Sequence, residues 1–411
     1  MRLDGRVIME LAIKGGNPVR TKPFTEWPIF DEREENALIE VLRSGHWGRI
    51  SGKKNEEFEE KFSKFVGAKY GVTCVNGTAA LEIALSAIDI GRGDEVIVPA
   101  YTFIATATAC MLVGADPVFV DIDQDTYNIS PEQIEQAITT RTKAIIAVHI
   151  GGCPANMDEI IKIAKRYNLL VIEDAAQAHG AEWRGKRVGS IGDIATFSFQ
   201  ASKNINAGEG GIVTTNNKKF ADRAWSLMNV GRAKNGGWYE HPILGWNYRM
   251  TEFQAGILLV QMERLEEQMK KREENAKYLS YGMRMIGGIE PLVAGEGVTR
   301  NAYHLFIFRY NKEEFKGVNR EIFIKALNGE GIPASSGYVP LYKFPAILDW
   351  PYKERDYRNL YLPVTERACY EEGVWLPQNL LLGPREDMDD ILTAISKVKE
   401  NIDELTSLSE F

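Results

Sequence analysis

The sequence is poor in cysteine, has no long apolar run and carries no surplus of basic charge. Its four cysteines, Cys74, Cys110, Cys153 and Cys369, are scattered, and no two stand at CxxC spacing. They frame neither a disulfide scaffold nor a zinc site, and no metal is expected. Cys74, just before Asn76, reads as a packed core thiol. No stretch approaches the roughly 20 apolar residues that span a bilayer. Met1 to Met9 lacks the apolar run of a signal peptide, so a cytoplasmic protein is expected. The net charge of −8 argues against nucleic acid or a membrane surface as partner, because both repel an acidic protein. Internal repeats, low-complexity segments and disordered linkers are also missing.

What is present is an alternation of helices with short apolar strands. The strands are expected at Glu95–Ala100, Pro117–Asp121, Ala144–Ile150, Leu169–Glu173, Ala195–Phe199 and Gly211–Thr215. Residues 56–66 and Asn156 to Tyr167 have the spacing of amphipathic helices. Such alternation predicts an α/β fold, a mostly parallel sheet covered by helices on both faces. A chain of 411 residues exceeds one ordinary core, so two domains are expected. Residues 1–284 would form an amino-terminal arm and the large domain, and 285–411 a smaller α+β domain. A long helix is expected from Met250 to Leu279, a strand over Ala302–Phe308, and helices over 319–329 and 385–403.

Ligands in open α/β sheets sit beyond the carboxyl ends of strands. Two chemistry-bearing residues follow such ends. Asp174 closes the apolar run from Leu169, within Glu173-Asp174-Ala175-Ala176-Gln177. Lys203 ends Ser198-Phe199-Gln200-Ala201-Ser202-Lys203, just before Gly208-Glu209-Gly210-Gly211. A lysine amine can form a Schiff base with an aldehyde cofactor, and an aspartate can keep a pyridine nitrogen protonated. This is what pyridoxal phosphate chemistry needs. Val75-Asn76-Gly77-Thr78-Ala79-Ala80-Leu81 reads as a turn feeding a helix, whose free amides and dipole suit a phosphate. The strand at Glu95 runs into Tyr101-Thr102-Phe103, where a flat ring could stack on a flat cofactor. Taken singly, each segment is ordinary: a surface lysine, a capped helix, a core aromatic.

Taken in order, these segments resemble the DegT/StrS family of pyridoxal phosphate-dependent sugar aminotransferases, of the aspartate-aminotransferase-like fold type I. The resemblance runs from about Gly15 to about Ile402 and includes Gly-Trp-Asn-Tyr-Arg-Met-Thr-Glu at 245–252. It implies that Lys203 holds the cofactor and shuttles a proton, and that Asp174 pairs with the ring nitrogen. It further implies that Gln177 bonds the ring hydroxyl and Phe103 stacks on the ring. Thr78, the Ala79 backbone and Ser198 would hold the phosphate. Asn247 would reach the phosphate from a second subunit, making a homodimer part of the site. Trp47, with Gly48 beside it, and His304, Tyr338 and Tyr342 fall where family members place substrate-facing side chains. Arg249 and Glu252 would serve structure rather than substrate, and His179 would be a satisfied core histidine.

The resemblance also implies a reaction: glutamine or glutamate gives its amino group to the cofactor, and a ketone then receives it. Dehydratases of the family replace the lysine with histidine, whereas this chain keeps Lys203. Ser-Phe-Gln-Ala-Ser-Lys, with Trp375-Leu376-Pro377 and Leu381-Leu382-Gly383, looks like the glutamine:scyllo-inosose branch. A nucleotide-linked keto-sugar aminotransferase, a 3-amino-5-hydroxybenzoate synthase and a non-catalytic regulator of the same fold stand as alternatives. The segment opening at Met9 looks like a family start, so residues 1–8 are expected to be an extension.

Overall fold

The computed structural model describes residues 10–406, together with the backbone of Arg2–Leu3 and Arg6–Val7. The extension expected over residues 1–8 otherwise lies outside the described residues. Seven strands make the main sheet: β1 (Tyr70–Cys74), β2 (Glu95–Pro99), β3 (Asp116–Val120), β4 (Thr142–Val148), β5 (Leu170–Asp174), β6 (Ile194–Ser198) and β7 (Gly211–Thr215). Their order across the sheet is β1-β7-β6-β5-β4-β2-β3. β7 runs antiparallel to both of its neighbours, and every other pairing is parallel.

The helices that place the site are α1 (Glu32–Ser44), α2 (Lys54–Val66), α3 (Gly77–Ala87), α4 (Ala105–Leu112), α5 (Met157–Tyr167), α6 (Lys218–Met228), α7 (Glu252–Ile286), α8 (Arg320–Gly329) and α9 (Arg385–Glu400). The pleat sends alternate residues to opposite faces, so a sheet covered twice is apolar throughout. Val96, Val98, Ile146 and Val148 pack with α3, α4 and α6 on one face. Ile97, Ile145, Ala147 and Val171 pack with α5 on the other. Beside them, Phe197 and Ile212 meet Phe58 and Phe62 of α2 and Leu258 of α7.

The second part is built on β8 (Ile289–Pro291), β9 (Leu305–Tyr310) and β10 (Gly373–Pro377), all antiparallel. Phe306, Phe308, Phe323 and Ile391 form its core. The strand expected from Ala302 starts only at Leu305. Tyr303 has φ 47°, and a left-handed residue cannot extend a strand. The long helix starts where Thr251 and Gln254 form a capping box, and it runs 35 residues, about 52 Å. Its first half (Leu258, Leu265, Met269) belongs to the large core, and its second (Ala276, Leu279, Met283) to the small one. Position 285 therefore falls in its last turn. The last long helix ends at Glu400, and a separate short turn, Asp403–Thr406, follows.

The amino-terminal arm packs on the small core. Leu11 is buried there, and the buried Glu330 accepts from Ala12 N (2.8 Å), Val19 N (3.0 Å) and Lys397 Nζ (2.8 Å). Among the described residues no helix is long and apolar enough to cross a membrane.

Candidate active site

β5 and β6 are parallel neighbours, with Thr196 opposite Asp174, so their carboxyl ends open on the same edge of the sheet. Asp174 ends β5 and Ser198 ends β6. The chain then turns back on itself. Lys203 N donates to Gln200 O (2.8 Å), Ala201 N donates to Gly208 O (2.9 Å), and the Trp27 indole donates to Ala201 O (3.0 Å). This turn carries Lys203 over the strand ends. Both residues line a cavity of about 630 Å³, together with Thr78, Phe103, Gln177, Ser198, His304 and Tyr338.

The two charged groups answer to burial. Asp174 Oδ2 accepts from Thr106 Oγ1 (2.8 Å) and Oδ1 from Ala176 N (3.3 Å). Burial still raises its pKa, against those bonds and the pull of Lys203. The carboxylate thus has fewer positive partners than its burial demands. Lys203 is pulled down to about 8 by burial, with Asp174 acting the other way. Among the described residues its Nζ makes no hydrogen bond or ion pair at contact distance, so the amine is unclaimed. His304 is buried with Nδ1 3.3 Å from Asn204 Oδ1, and burial and Lys203 keep it neutral. His179 lies against the Phe197 and Phe199 rings, held at about 3 by burial and Lys203. It is a core histidine, but not a satisfied one: apart from the Ser198 backbone beside it, neither ring nitrogen finds a partner of ordinary geometry.

The start of α3 forms the third side. Asn76 caps it, and its Oδ1 takes the amide of Ala79 at 2.8 Å. That corrects the expectation for Ala79: its N–H is already bonded, and the residue is buried behind the cavity wall. The amides of Gly77 and Thr78 have no protein acceptor among the described residues, and no acidic side chain stands in this first turn. A Cβ on Gly77 would lie 2.6 Å from the Ser198 Cβ, so only glycine lets the helix start come this close to β6. An unclaimed amine, a buried acid short of a cation and an open helix start fit an aldehyde-bearing pyridine phosphate such as pyridoxal phosphate.

Residues 28–396 match the DegT/DnrJ/EryC1/StrS aminotransferase family. The chain belongs to that family. It is 41% identical, over 96% of its length and 99% of the relative, to a Streptoalloteichus tenebrarius protein provisionally named L-glutamine:3-amino-2,3-dideoxy-scyllo-inosose aminotransferase. The crystal structure of 3-amino-5-hydroxybenzoic acid synthase superposes with TM-score 0.87 at 35% identity, over 92% of this chain and 98% of that one. A provisionally named sugar aminotransferase from Streptococcus pneumoniae, in its PLP form, gives TM-score 0.81 at 30% identity over 93% of this chain and all (100%) of that one. This is a pyridoxal phosphate-dependent aminotransferase.

Not every expected residue of this aminotransferase reaches the cavity. Gln177 does, with its amide fixed: Oε1 accepts from Gly151 N (2.8 Å) and Nε2 donates to Tyr338 OH (2.9 Å), leaving a second N–H free. Tyr338 is held between the Trp375 and Tyr101 rings, at 4.5 and 5.4 Å. Phe103 stands at the rim, 57% exposed. Tyr342 is elsewhere. It is fully buried in the large core, and its hydroxyl donates to Glu366 Oε1 (2.6 Å), so it cannot face substrate in this fold. Trp47 is half-exposed outside the cavity, its indole donating to Leu42 O (3.1 Å), and Gly48 beside it bridges to Thr251. Asn247 is exposed and also outside this chain's own cavity, in a bridge with Asn229. Arg249 donates to Asn229 Oδ1 (3.1 Å), whereas Glu252 accepts from Lys54 N and Asn55 Nδ2 at the start of α2 (2.5 and 2.6 Å). Cys74 is buried, its thiol pushed up to about 12 and donating to Asn76 O (3.3 Å). Sequence reasoning missed Trp27, Thr106, Trp375 and Gln378 on the cavity wall. Trp375 stands in a segment read only as a mark of the branch, and the other three lie outside every motif quoted above.

Proposed function

We propose that the chain transfers the amino group of glutamine, or alternatively glutamate, to the ring ketone of a scyllo-inosose-like keto-cyclitol or a keto-sugar, as a cytoplasmic homodimer. The observation that carries this is the convergence of Lys203 and Asp174 at two neighbouring strand ends, in a chain that matches over 96% of its length a relative named for glutamine and a scyllo-inosose. When bound, pyridoxal phosphate supplies the electron sink that makes the amino group mobile. In this reading Lys203 Nζ would hold the cofactor, and once the donor's amine has displaced it the freed amine would take the proton from the donor's α-carbon and return one to the product carbon. Asp174 would hold the ring nitrogen in its charged form, which would give the buried carboxyl the positive partner it lacks. Gln177 would give its spare N–H to the ring hydroxyl, and Phe103 would cover a ring face. The Gly77 and Thr78 amides with the Thr78 and Ser198 hydroxyls bind phosphate, and Asn247 of a second copy completes that site. His304 and Tyr338 line the acceptor's side.

The cavity lining favours an uncharged, polyhydroxylated ring over a nucleotide diphosphate. Lys203 is the only lysine or arginine among the described lining residues of this chain, so a diphosphate would need its cations from the second copy. The test is the visible spectrum of the purified protein with pyridoxal phosphate, before and after L-glutamine, and separately L-glutamate. Bleaching by either donor is expected, followed by recovery on adding a keto-inositol. A spectrum that neither donor changes would reject transamination from these donors. A strict requirement for a nucleotide-linked sugar would reject the cyclitol, and an aromatic product would place the enzyme with the aminohydroxybenzoate synthases.

A further inference from the structure

Behind one wall of the cavity lies an arginine with no acid. Arg272, on α7, is fully buried and makes no ion pair among the described residues. Its Nε and Nη2 both donate to Gln378 Oε1, at 2.9 and 2.5 Å. Its Nη1 is buried without an acceptor, and its guanidinium stands 5.5 Å from the centre of the Trp27 ring. Burial pulls the guanidinium down to about 9, so it remains charged at neutral pH. A buried charge is normally paired, and this one is not. Trp27 and Gln378, two side chains beside it, both line the cavity.

The arginine decides which way Gln378 faces. With Oε1 held twice, the amide cannot flip, and Nε2 is turned away from Arg272. That nitrogen has no protein partner among the described residues, and it is not enclosed among the buried unpaired atoms. The next residue has the opposite polarity. Asn379 also lines the cavity; its Nδ2 donates to Thr25 O (2.7 Å), and its Oδ1 has no protein partner among the described residues. The wall therefore offers a fixed N–H beside a fixed amide oxygen, with a cation behind the first.

An amino-acid donor carries a carboxylate next to an ammonium group, and among the described residues of this chain no arginine lines the cavity to receive it. We propose that Gln378, oriented and charged from behind by Arg272, binds the α-carboxylate of the amino donor, while Asn379 Oδ1 accepts from the donor's ammonium. The assignment rests on the aminotransferase reading above. It separates the two substrates of a shared cavity, because an uncharged ring gains nothing from the buried cation.

The test is made on holoenzyme carrying Gln378→Glu or Gln378→Ala. The glutamate variant puts an oxygen where the N–H stood and neutralises Arg272. Loss of a charge-assisted hydrogen bond predicts a donor KM raised roughly ten- to a hundredfold. The acceptor KM should stay within about twofold. Binding of glutarate, a dianion with no amino group, is read by the fluorescence of Trp27 and Trp375 and should weaken in parallel. An unchanged donor KM with unchanged glutarate binding overturns the proposal, as does an equal rise for both substrates. Arg272→Met should reproduce the donor-specific loss; if that chain does not fold, the Gln378 pair alone decides. If wild-type enzyme is not discharged by glutamine or glutamate, the functional reading fails, and glutarate binding still reports on Gln378.

Discussion

In the proposed reading Lys203 must lose its proton before its amine can bond to the cofactor's aldehyde, and burial sets the pH at which it does so. Burial brings its pKa to about 8. At pH 7 roughly one molecule in ten then carries a free amine, against roughly one in three thousand for an ordinary lysine near 10.5, a gain of about 300-fold. Cofactor uptake by the apoprotein, followed in the visible region, should rise with pH through a midpoint near 8 and level off by about pH 9. A rise that continues to pH 10 would refute the desolvation argument. Asp174 gives a second check with a definite sign. Its charge holds the proton on Lys203, so Asp174→Asn should move the midpoint below 8. Movement upward would mean that the two groups do not sense each other as the geometry requires.

Gly77→Ala places a Cβ 2.6 Å from the Ser198 Cβ, and overpacking of that kind costs ~1–3 kcal/mol; a lower Tm and weaker cofactor retention should appear together. Tyr338→Phe removes the acceptor of the Gln177 Nε2–H, worth about 1 kcal/mol, and should weaken cofactor retention about fivefold in equilibrium dialysis. Lys397→Met leaves Glu330 as a buried charge without its cation, a loss of roughly 3–5 kcal/mol. A lower urea midpoint and faster amide exchange at Ala12 and Val19 should follow, because Glu330 also holds those amides.

Much of the site was legible because its elements are local. Lys203 and Asp174 each follow an apolar strand whose length and composition announce it, and strand ends are where α/β sheets bind. The same logic found Gly77 and Thr78 at a helix start. Ala79 does not offer its amide to the cavity, because the Asn76 side chain, three residues earlier, takes that N–H as the helix cap. Tyr338 and Tyr342 look equivalent in sequence. The turn at Leu341–Lys343 sends one to the cavity and the other into the core against Phe119.

The sequence by itself determined the alternating elements, the parallel character of the sheet, the lysine and aspartate of the site, and the family to which they belong. These follow from side-chain periodicity and short-range capping, which act within a few residues. The tertiary structure alone decided which side chains share a wall. Arg272 and Gln378 lie 106 positions apart, and Gln177 and Tyr338 lie 161 apart. No local pattern links such pairs. They meet because α7 bridges both cores, and because the packing of β10 against β9 fixes where Gln378 and its neighbours fall.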